Sequence, residues 1–180
     1  MNGITVGIIF IIVTVVVAII RISGRKKAIV TASGTMVMKY PVLVAIFGYI
    51  GIGFGLAAGI IAYSNIIPVT GTEAVPFLVL GFVLMGLPHV ILQANVRVIV
   101  DEETIRYSGF LRKNREVRWE KILEVRFSFT SELVLYSDTT KIKINSIMKG
   151  YAAFIDRLKQ KCVPALWEDA VKKSDRVTGI

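Results

Sequence analysis

The first half of the chain consists of three long apolar runs separated by short polar stretches. The first run, from Ile4 to Ile20, is interrupted only by Thr5, Gly7 and Thr14. At about 1.5 Å per residue it reaches roughly 25 Å, which is short for a ~30 Å hydrocarbon core, and Ile22 extends it if Arg21 snorkels to the headgroups. The pattern predicts three membrane-spanning helices, at residues 4–22, 41–63 and 75–92.

Prolines mark the starts of the second and third helices. Pro41 and Pro76 stand at first-turn positions, where a missing N–H costs nothing, whereas Pro88 is expected to kink or shorten the end of the third helix. A cleaved signal peptide is the alternative for the first run. It requires a positive region before the apolar stretch, and residues 1–5 carry no charged side chain, so we expect a retained helix.

Loop charge predicts the orientation of these helices. The first loop, residues 21–39, holds five Lys and Arg and no acid, and the second, residues 64–74, holds Glu73 and no cation. Because Lys and Arg concentrate on the cytoplasmic side, we expect a multi-pass protein of the cell membrane. Its amino terminus lies outside, and everything after the third helix lies in the cytoplasm.

After Gln93 the period of the apolar pattern changes from helical to two. Alternating positions between turn residues predict about six short antiparallel strands, with apolar positions at Val96, Val98, Val100, Ile105, Tyr107, Leu123, Val125, Phe127, Phe129, Leu133, Leu135, Ile142 and Ile144. Asn145-Ser146 can cap the amphipathic helix that follows, whose apolar face carries Ile147, Tyr151, Phe154, Ile155, Leu158 and Cys162. Pro164 is expected to stop this helix and to leave residues 164–180 as a polar tail, with weak helical character at residues 166–173.

A strand meander closed by one amphipathic helix is the outline of a pleckstrin-homology-like (PH-like) barrel. The segments that carry it are Val98-Ile-Val-Asp-Glu-Glu-Thr-Ile105, Phe110 with Arg112-Lys113, Val117-Arg-Trp-Glu-Lys-Ile122, Ile142-Lys-Ile144, and Gly150 with Phe154 and Leu158. They cover residues 94–162 and resemble the bacterial PH-like families that sit beside membrane helices, such as the YcxB-like proteins. The resemblance implies a membrane-tethered interaction module and brings no catalytic or ligand motif with it.

The amino-acid composition agrees with an apolar first half suited to lipid and a charged second half suited to water. The chain is 54% hydrophobic and 19% charged, whereas soluble domains are about 45–50% apolar and 25% charged. Only six charged side chains precede Gln93. The expected fold class is therefore membrane α plus α+β, with a three-helix transmembrane region at residues 1–93, a cytoplasmic PH-like domain at residues 94–163, and the polar tail.

Residues with catalytic or ligand-binding chemistry are few. The single cysteine, Cys162, cannot form an intramolecular disulfide, no Cys/His cluster has metal-ligand spacing, and no nucleophile stands with a base. We therefore expect no enzyme activity, no metal and no cofactor. His89, the only histidine, is expected at the membrane interface, with a functional intramembrane role as the alternative. Trp119 is expected in the core, with ligand stacking as the alternative.

Gly51, Gly55 and Gly59 form two overlapping G-x-x-x-G units on one face of the second helix. Small residues at this spacing let another helix approach closely in lipid. Two alternatives stay open, packing against another helix of the same chain and homo-oligomerisation. The overlapping Gly53-x-Gly55-x-x-Ala58 mimics a dinucleotide fingerprint, but it lies inside an apolar span, without the preceding strand that such a site needs.

Two groups of cations are candidates for contact with anionic lipid headgroups. They are Arg21, Arg25, Lys26 and Lys27 in the first loop, and Arg112, Lys113, Arg115 and Arg118 in the module. Each cation near an anionic surface contributes about 1 kcal/mol. The alternative is a solvated strand face with the usual positive-inside bias. Nucleic acid is not expected despite the net charge of +9, because aromatic residues do not interleave with the basic run.

These features predict a non-enzymatic protein of the lipid bilayer, whose module docks a partner protein or the inner membrane surface. The second hypothesis is an accessory subunit of a larger membrane complex, such as a transporter or a stress or immunity system. An enzyme is the weakest hypothesis, since scattered serines and acids in turns do not supply an active site.

Overall fold

The computed structural model describes residues 29–31, 34–64 and 72–178, which form two compact units. One unit is a helical pair, residues 42–95, and the other, called here the sheet module, combines residues 29–41 with residues 96–178. The predicted first helix at residues 4–22 and the cations Arg21, Arg25, Lys26 and Lys27 lie outside the described residues.

The helical pair contains two of the three predicted helices. Helix α1 spans Val42–Tyr63, and helix α2 spans Val75–Asn95 after a short 3-10 turn at Thr72–Ala74. Both helices are long and apolar enough to cross a membrane. Helix α2 runs through Pro88, because a proline removes only one backbone donor, and it ends at Asn95, three residues beyond the predicted residue 92.

Helices α1 and α2 approach each other through glycines. The carbonyl oxygen of Gly86 lies 2.6 Å from where a Cβ on Gly48 would stand, and a Cβ on Gly55 would lie 2.8 Å from the Cβ of Phe82. A Cβ on Gly59 would lie 3.1 Å from a methyl group of Val79. Gly51 is less confined, with its nearest neighbour at 3.8 Å from a built Cβ. The predicted glycine face of α1 thus packs against α2 of the same chain.

The sheet module contains eight short strands in two antiparallel sheets. Their bounds are β1 Ile29–Val30, β2 Met36–Lys39, β3 Arg97–Val100, β4 Thr104–Ser108, β5 Asn114–Arg118, β6 Glu124–Phe127, β7 Glu132–Tyr136 and β8 Lys141–Asn145. Strands β1 to β5 form one sheet in chain order, and β6 to β8 form the other. Most of the alternating positions meet inside, where Met38, Val98, Ile105, Leu133, Leu135, Ile142 and Ile144 are fully buried. The predicted positions Leu123 and Phe129 are instead exposed, because they lie outside the strands.

Two sequence predictions about the module are wrong. The described strands are not one meander closed into a barrel but two separate sheets. The sheet module also does not begin at residue 94, because β2, inside the predicted basic loop, pairs with β3 in the register Met36↔Val100 to Lys39↔Arg97. The helical pair is therefore an insertion between two neighbouring strands of one sheet.

Two helices complete the module. Helix α3, Tyr151–Lys161, buries Tyr151, Phe154, Ile155 and Leu158, which is the predicted apolar face. The indole of Trp119 stacks on Phe154 with ring centroids 6.0 Å apart, and its Nε1 donates to the carbonyl of Asp101 at 3.1 Å. Trp119 is therefore a core residue, as predicted.

The predicted polar tail is instead an ordered helix. Helix α4, Pro164–Thr178, packs on β6 and on α3. Ala170, Val171 and Ser174 are buried, and the Ser174 hydroxyl lies 2.8 Å from the hydroxyl of Tyr151. Pro164 ends one helix and begins the next, because its missing N–H is harmless in a first turn.

Candidate functional site

Four strand termini meet at one end of the five-stranded sheet. Strand β2 ends at Lys39, β3 begins at Arg97, β4 ends at Ser108 and β5 begins at Asn114. The register pairs Lys39 with Arg97, Arg97 with Ser108, and Ser108 with Asn114. Since neighbouring strands lie about 4.8 Å apart, these four residues form a row roughly 15 Å long.

Both connections to the helical pair leave from this row. Helix α1 begins at Val42, three residues after Lys39, and helix α2 ends at Asn95, two residues before Arg97. We call this the helix-bearing end of the sheet module.

The hairpin loop between β4 and β5 projects from the same end. Residues 109–113, called here the tip, are closed by hydrogen bonds from Gly109 N to Lys113 O at 3.0 Å and from Arg112 N to Gly109 O at 2.9 Å. Leu111 at its apex is 73% exposed, and Arg112 has a positive φ of 57°. The tip therefore presents an apolar side chain beside two cations, Arg112 and Lys113, at the helix-bearing end.

A groove of about 460 Å³ crosses the outward face of the same sheet. Its lining residues are Arg97, Ile99, Arg106, Tyr107, Ser108, Asn114, Arg115 and Glu116. The register places the side chains of Arg97, Ile99, Arg106, Ser108, Asn114 and Glu116 on the outward face, because Val98, Ile105 and Val117 between them are buried. We call it the outward groove.

Charge is distributed unevenly along the outward groove. Arg106 forms an ion pair with Asp101 and is the register partner of Glu116. A hydrogen bond from Thr35, followed by that from Arg106, holds the pKa of Asp101 below its usual value, so this carboxylate stays ionised. Arg97, at the helix-bearing end, has no ion-pair partner among the residues that the structure describes. The uncompensated positive charge therefore lies at that end.

Two tyrosines are partly buried near the same end. Burial is the main reason that the pKa values of Tyr40 and Tyr107 lie above the usual value, so both phenols are neutral at physiological pH. The Glu132 charge raises the pKa of both tyrosines further, and Glu132 pairs with Lys143 at 3.3 Å. Tyr107 also lines the outward groove, and because its phenol is neutral the charge there comes from the arginines and Glu116.

The predicted cluster of Arg112, Lys113, Arg115 and Arg118 is not a single patch. Arg112 and Lys113 belong to the tip, whereas Arg115 and Arg118 point to opposite faces of β5. Arg115 Nη1 donates to the carbonyl of Lys141 at 2.8 Å, and Arg118 lies 3.8 Å from Glu120. The sequence predicts Arg112 and Lys113 of the tip, but it does not predict that Lys39 and Arg97 lie beside each other in the row. Their adjacency depends on the pairing of β2 with β3, which the helical pair separates in the sequence.

The other residues with candidate chemistry, His89 and Cys162, do not belong to the groove or to the tip. His89 Nδ1 lies 2.8 Å from the carbonyl oxygen of Met85, one turn earlier in α2. Burial raises the pKa of the Cys162 thiol and keeps it protonated, which makes it a poor nucleophile. Within residues 29–31, 34–64 and 72–178, no three His, Cys, Asp or Glu side chains are grouped so that they could hold a metal ion.

Comparison with protein-family models, curated proteins and solved structures found no match to this chain. The resemblance to the bacterial PH-like families stays a prediction from the segments quoted above.

Proposed function

We propose that this chain is an integral membrane protein whose sheet module is a non-enzymatic docking domain, held with its helix-bearing end against the lipid surface. One observation carries the proposal. Both apolar helices leave the module at the end from which the tip projects. An exposed leucine beside Arg112 and Lys113 is suited to that position, because the interface accepts an apolar side chain while anionic headgroups attract the cations.

The free energies expected for the tip favour a weak attachment to the lipid surface, which adds to the anchoring by the two helices. Burying a leucine side chain fully is worth about 2 kcal/mol, and each cation near an anionic surface adds about 1 kcal/mol. Lys39 and Arg97 add to the charge of the tip at the same end. The helices supply the permanent anchor, and the tip and the row fix which side of the module faces the membrane.

Loop charge supports a cytoplasmic location for the module, with the amino terminus outside. Residues 21–39 carry five cations, whereas residues 64–74 carry only Glu73. The proposal predicts that external protease leaves the module intact in whole cells and digests it in inverted membrane vesicles. Digestion from outside intact cells would reverse the proposed orientation.

The docking proposal can be tested with a fluorescent reporter at the tip. The full chain, carrying Cys162→Ala and Leu111→Cys labelled with an environment-sensitive dye, is placed in nanodiscs that contain nitroxide-labelled lipid. We expect a blue shift and strong quenching, and stronger quenching when the lipid is anionic. The matched control is Glu103→Cys, an exposed position in the turn at the opposite end of the same sheet. Equal quenching at both positions contradicts docking by the helix-bearing end.

The alternative is that the module contacts a partner protein, as an accessory subunit would. The observation that favours it is Phe129, which is 99% exposed in the turn between β6 and β7. Such exposure of an aromatic ring is typical of an anchor residue at a protein interface. Under this alternative, Phe129→Ser releases a stoichiometric partner from the purified complex, while quenching at residue 111 stays low.

A further inference from the structure

We propose that the outward groove is a binding site for a single phosphate group, held by Arg97 together with Ser108 and Asn114. The phosphate belongs either to the headgroup of a membrane lipid or to a small soluble phosphate compound. This site goes beyond docking by the tip. Either proposal can fail while the other holds, because Leu111 and Arg97 are on different structural elements.

The donor set has the geometry for one compact oxyanion. Arg97 and Ser108 are register partners, and so are Ser108 and Asn114, so the three residues stand side by side on adjacent strands. Directly opposed residues have Cβ atoms about 5 Å apart. A guanidinium fork, a hydroxyl and a carboxamide at this spacing can all donate to the oxygens of one phosphate.

The electrostatics select this end of the groove. Arg106 is already compensated by Asp101 and faces Glu116 across the strand pair, so a second anion there would meet two carboxylates. Arg97 is exposed and has no ion-pair partner among the described residues, and its register neighbour Lys39 adds a second cation. An anion is therefore favoured at Arg97 and disfavoured near Glu116.

The groove also limits the size and polarity of the ligand. Its volume of about 460 Å³ suits one small molecule. Ile99 is the register partner of Arg106, so its side chain adds an apolar surface to the Arg106–Glu116 end of the groove. The groove therefore suits a ligand that carries one phosphate and whose remaining part is uncharged or cationic. A second negative charge on the ligand would approach Glu116. A lipid can reach the site because Arg97 is two residues from the end of α2.

The test uses the full chain in nanodiscs of zwitterionic lipid, titrated with glycerol 3-phosphate and separately with inorganic phosphate. Binding is followed through the arginine side-chain resonances. We expect saturable binding that Arg97→Gln weakens at least tenfold, and that Arg97→Lys weakens less. Ser108→Ala is expected to weaken binding about threefold. Arg106→Gln is the matched control in the same groove, and it should change the affinity less than threefold. Circular dichroism of each variant establishes that the module is folded.

A second arm identifies the source of the phosphate. Native mass spectrometry of the chain, released from nanodiscs that mix phosphatidylglycerol with phosphatidylcholine, measures which lipid is retained. Retention of phosphatidylglycerol that Arg97→Gln abolishes identifies a lipid headgroup, whereas glycerol phosphate binding without lipid retention identifies a soluble ligand.

Three results would overturn the phosphate site. They are an absence of binding in both arms, equal weakening by Arg97→Gln and Arg106→Gln, and tighter binding of RNA than of phosphate that is insensitive to Arg97. The labelled tip at residue 111 reports on membrane docking in the same preparations, so failure of the phosphate site remains distinguishable from failure of docking.

Discussion

At the scale of single residues, the contact between α1 and α2 depends on two glycines that the G-x-x-x-G pattern does not include. A Cβ on Gly86 would collide with the carbonyl oxygen of Gly48, and a Cβ on Gly48 would lie 2.6 Å from that of Gly86. Backbone oxygens cannot move aside as a flexible side chain can. We therefore expect Gly86→Ala to destabilise the helical pair by about 1–3 kcal/mol, the usual cost of overpacking.

Thermal unfolding of the full chain in detergent measures this effect. The matched control is Gly81→Ala on the same helix, because a Cβ at Gly81 meets nothing within 4 Å. The control should be neutral or slightly stabilising, since alanine is the better helix former. If both substitutions lower the melting temperature equally, the close approach of α1 and α2 is not what Gly86 provides.

A second residue-scale prediction concerns the buried hydroxyl pair of Tyr151 and Ser174. The two oxygens are 2.8 Å apart, and Ser174 is fully buried. Ser174→Ala leaves the phenol without its partner, so we expect a loss of about 1–3 kcal/mol. Chemical denaturation should give a smaller loss for the double variant with Tyr151→Phe than the sum of the single ones. Additive losses would show that the hydroxyls do not interact.

The same tyrosine predicts a dependence of stability on pH. Burial raises the pKa of Tyr151 to about 12, above the ordinary value of 10.0. The neutral phenol therefore stabilises the fold fully below pH 10, and this contribution is lost as the pH rises from about 10 to 12, because the unfolded chain ionises first. Denaturation midpoints measured across that range should fall less steeply for Tyr151→Phe. An unchanged slope would contradict the assignment to Tyr151.

At the scale of elements, Arg157 ties helix α3 to the end of the sheet opposite the helix-bearing one. Its Nη1 donates to the carbonyls of Gly34 at 3.1 Å and Val100 at 3.3 Å, and its Nη2 pairs with Glu102. Arg157→Ala removes the donor shared by two carbonyls, so we expect a loss of about 1–2 kcal/mol and faster amide exchange in β1 and β2. Arg126→Ala, which removes an exposed pair with Glu124, should change little.

Sequence periodicity predicts some of these helices and strands and not others. Helices α1, α2 and α3 and strands β3, β4, β6, β7 and β8 have apolar positions at regular spacing, and this local signal is enough to locate them. Strand β5 lacks it, because Val117 is its single apolar residue. Strand β2 has only four residues in a basic loop, and its partner β3 lies beyond the whole helical pair. For helix α4 the sequence predicts only weak helical character at residues 166–173 of a polar tail, because the buried face of this helix is narrow and uses small residues, such as Ala170 and Ser174. The candidate site is subject to the same limit, since Arg112 and Lys113 are adjacent in sequence but Lys39 and Arg97 are not.

At the scale of the whole molecule, the register makes the helical pair a removable insertion. Lys39 and Arg97 are antiparallel partners on neighbouring strands, so a tight hairpin turn can join β2 to β3. We predict that residues 29–41, linked to residues 96–178 by a Gly/Ser linker of about four residues, form a folded protein that needs no detergent.

The control is residues 94–178 alone, which lack the buried Met36 and Met38 and leave β3 as an open sheet edge. Losing two buried methionines costs several kcal/mol, and an open edge promotes aggregation, so this fragment should unfold or aggregate. Circular dichroism melting and amide NMR spectra measure whether each of the two proteins is folded. Equal stability of the two would mean that β2 is dispensable and that the module begins after the helices.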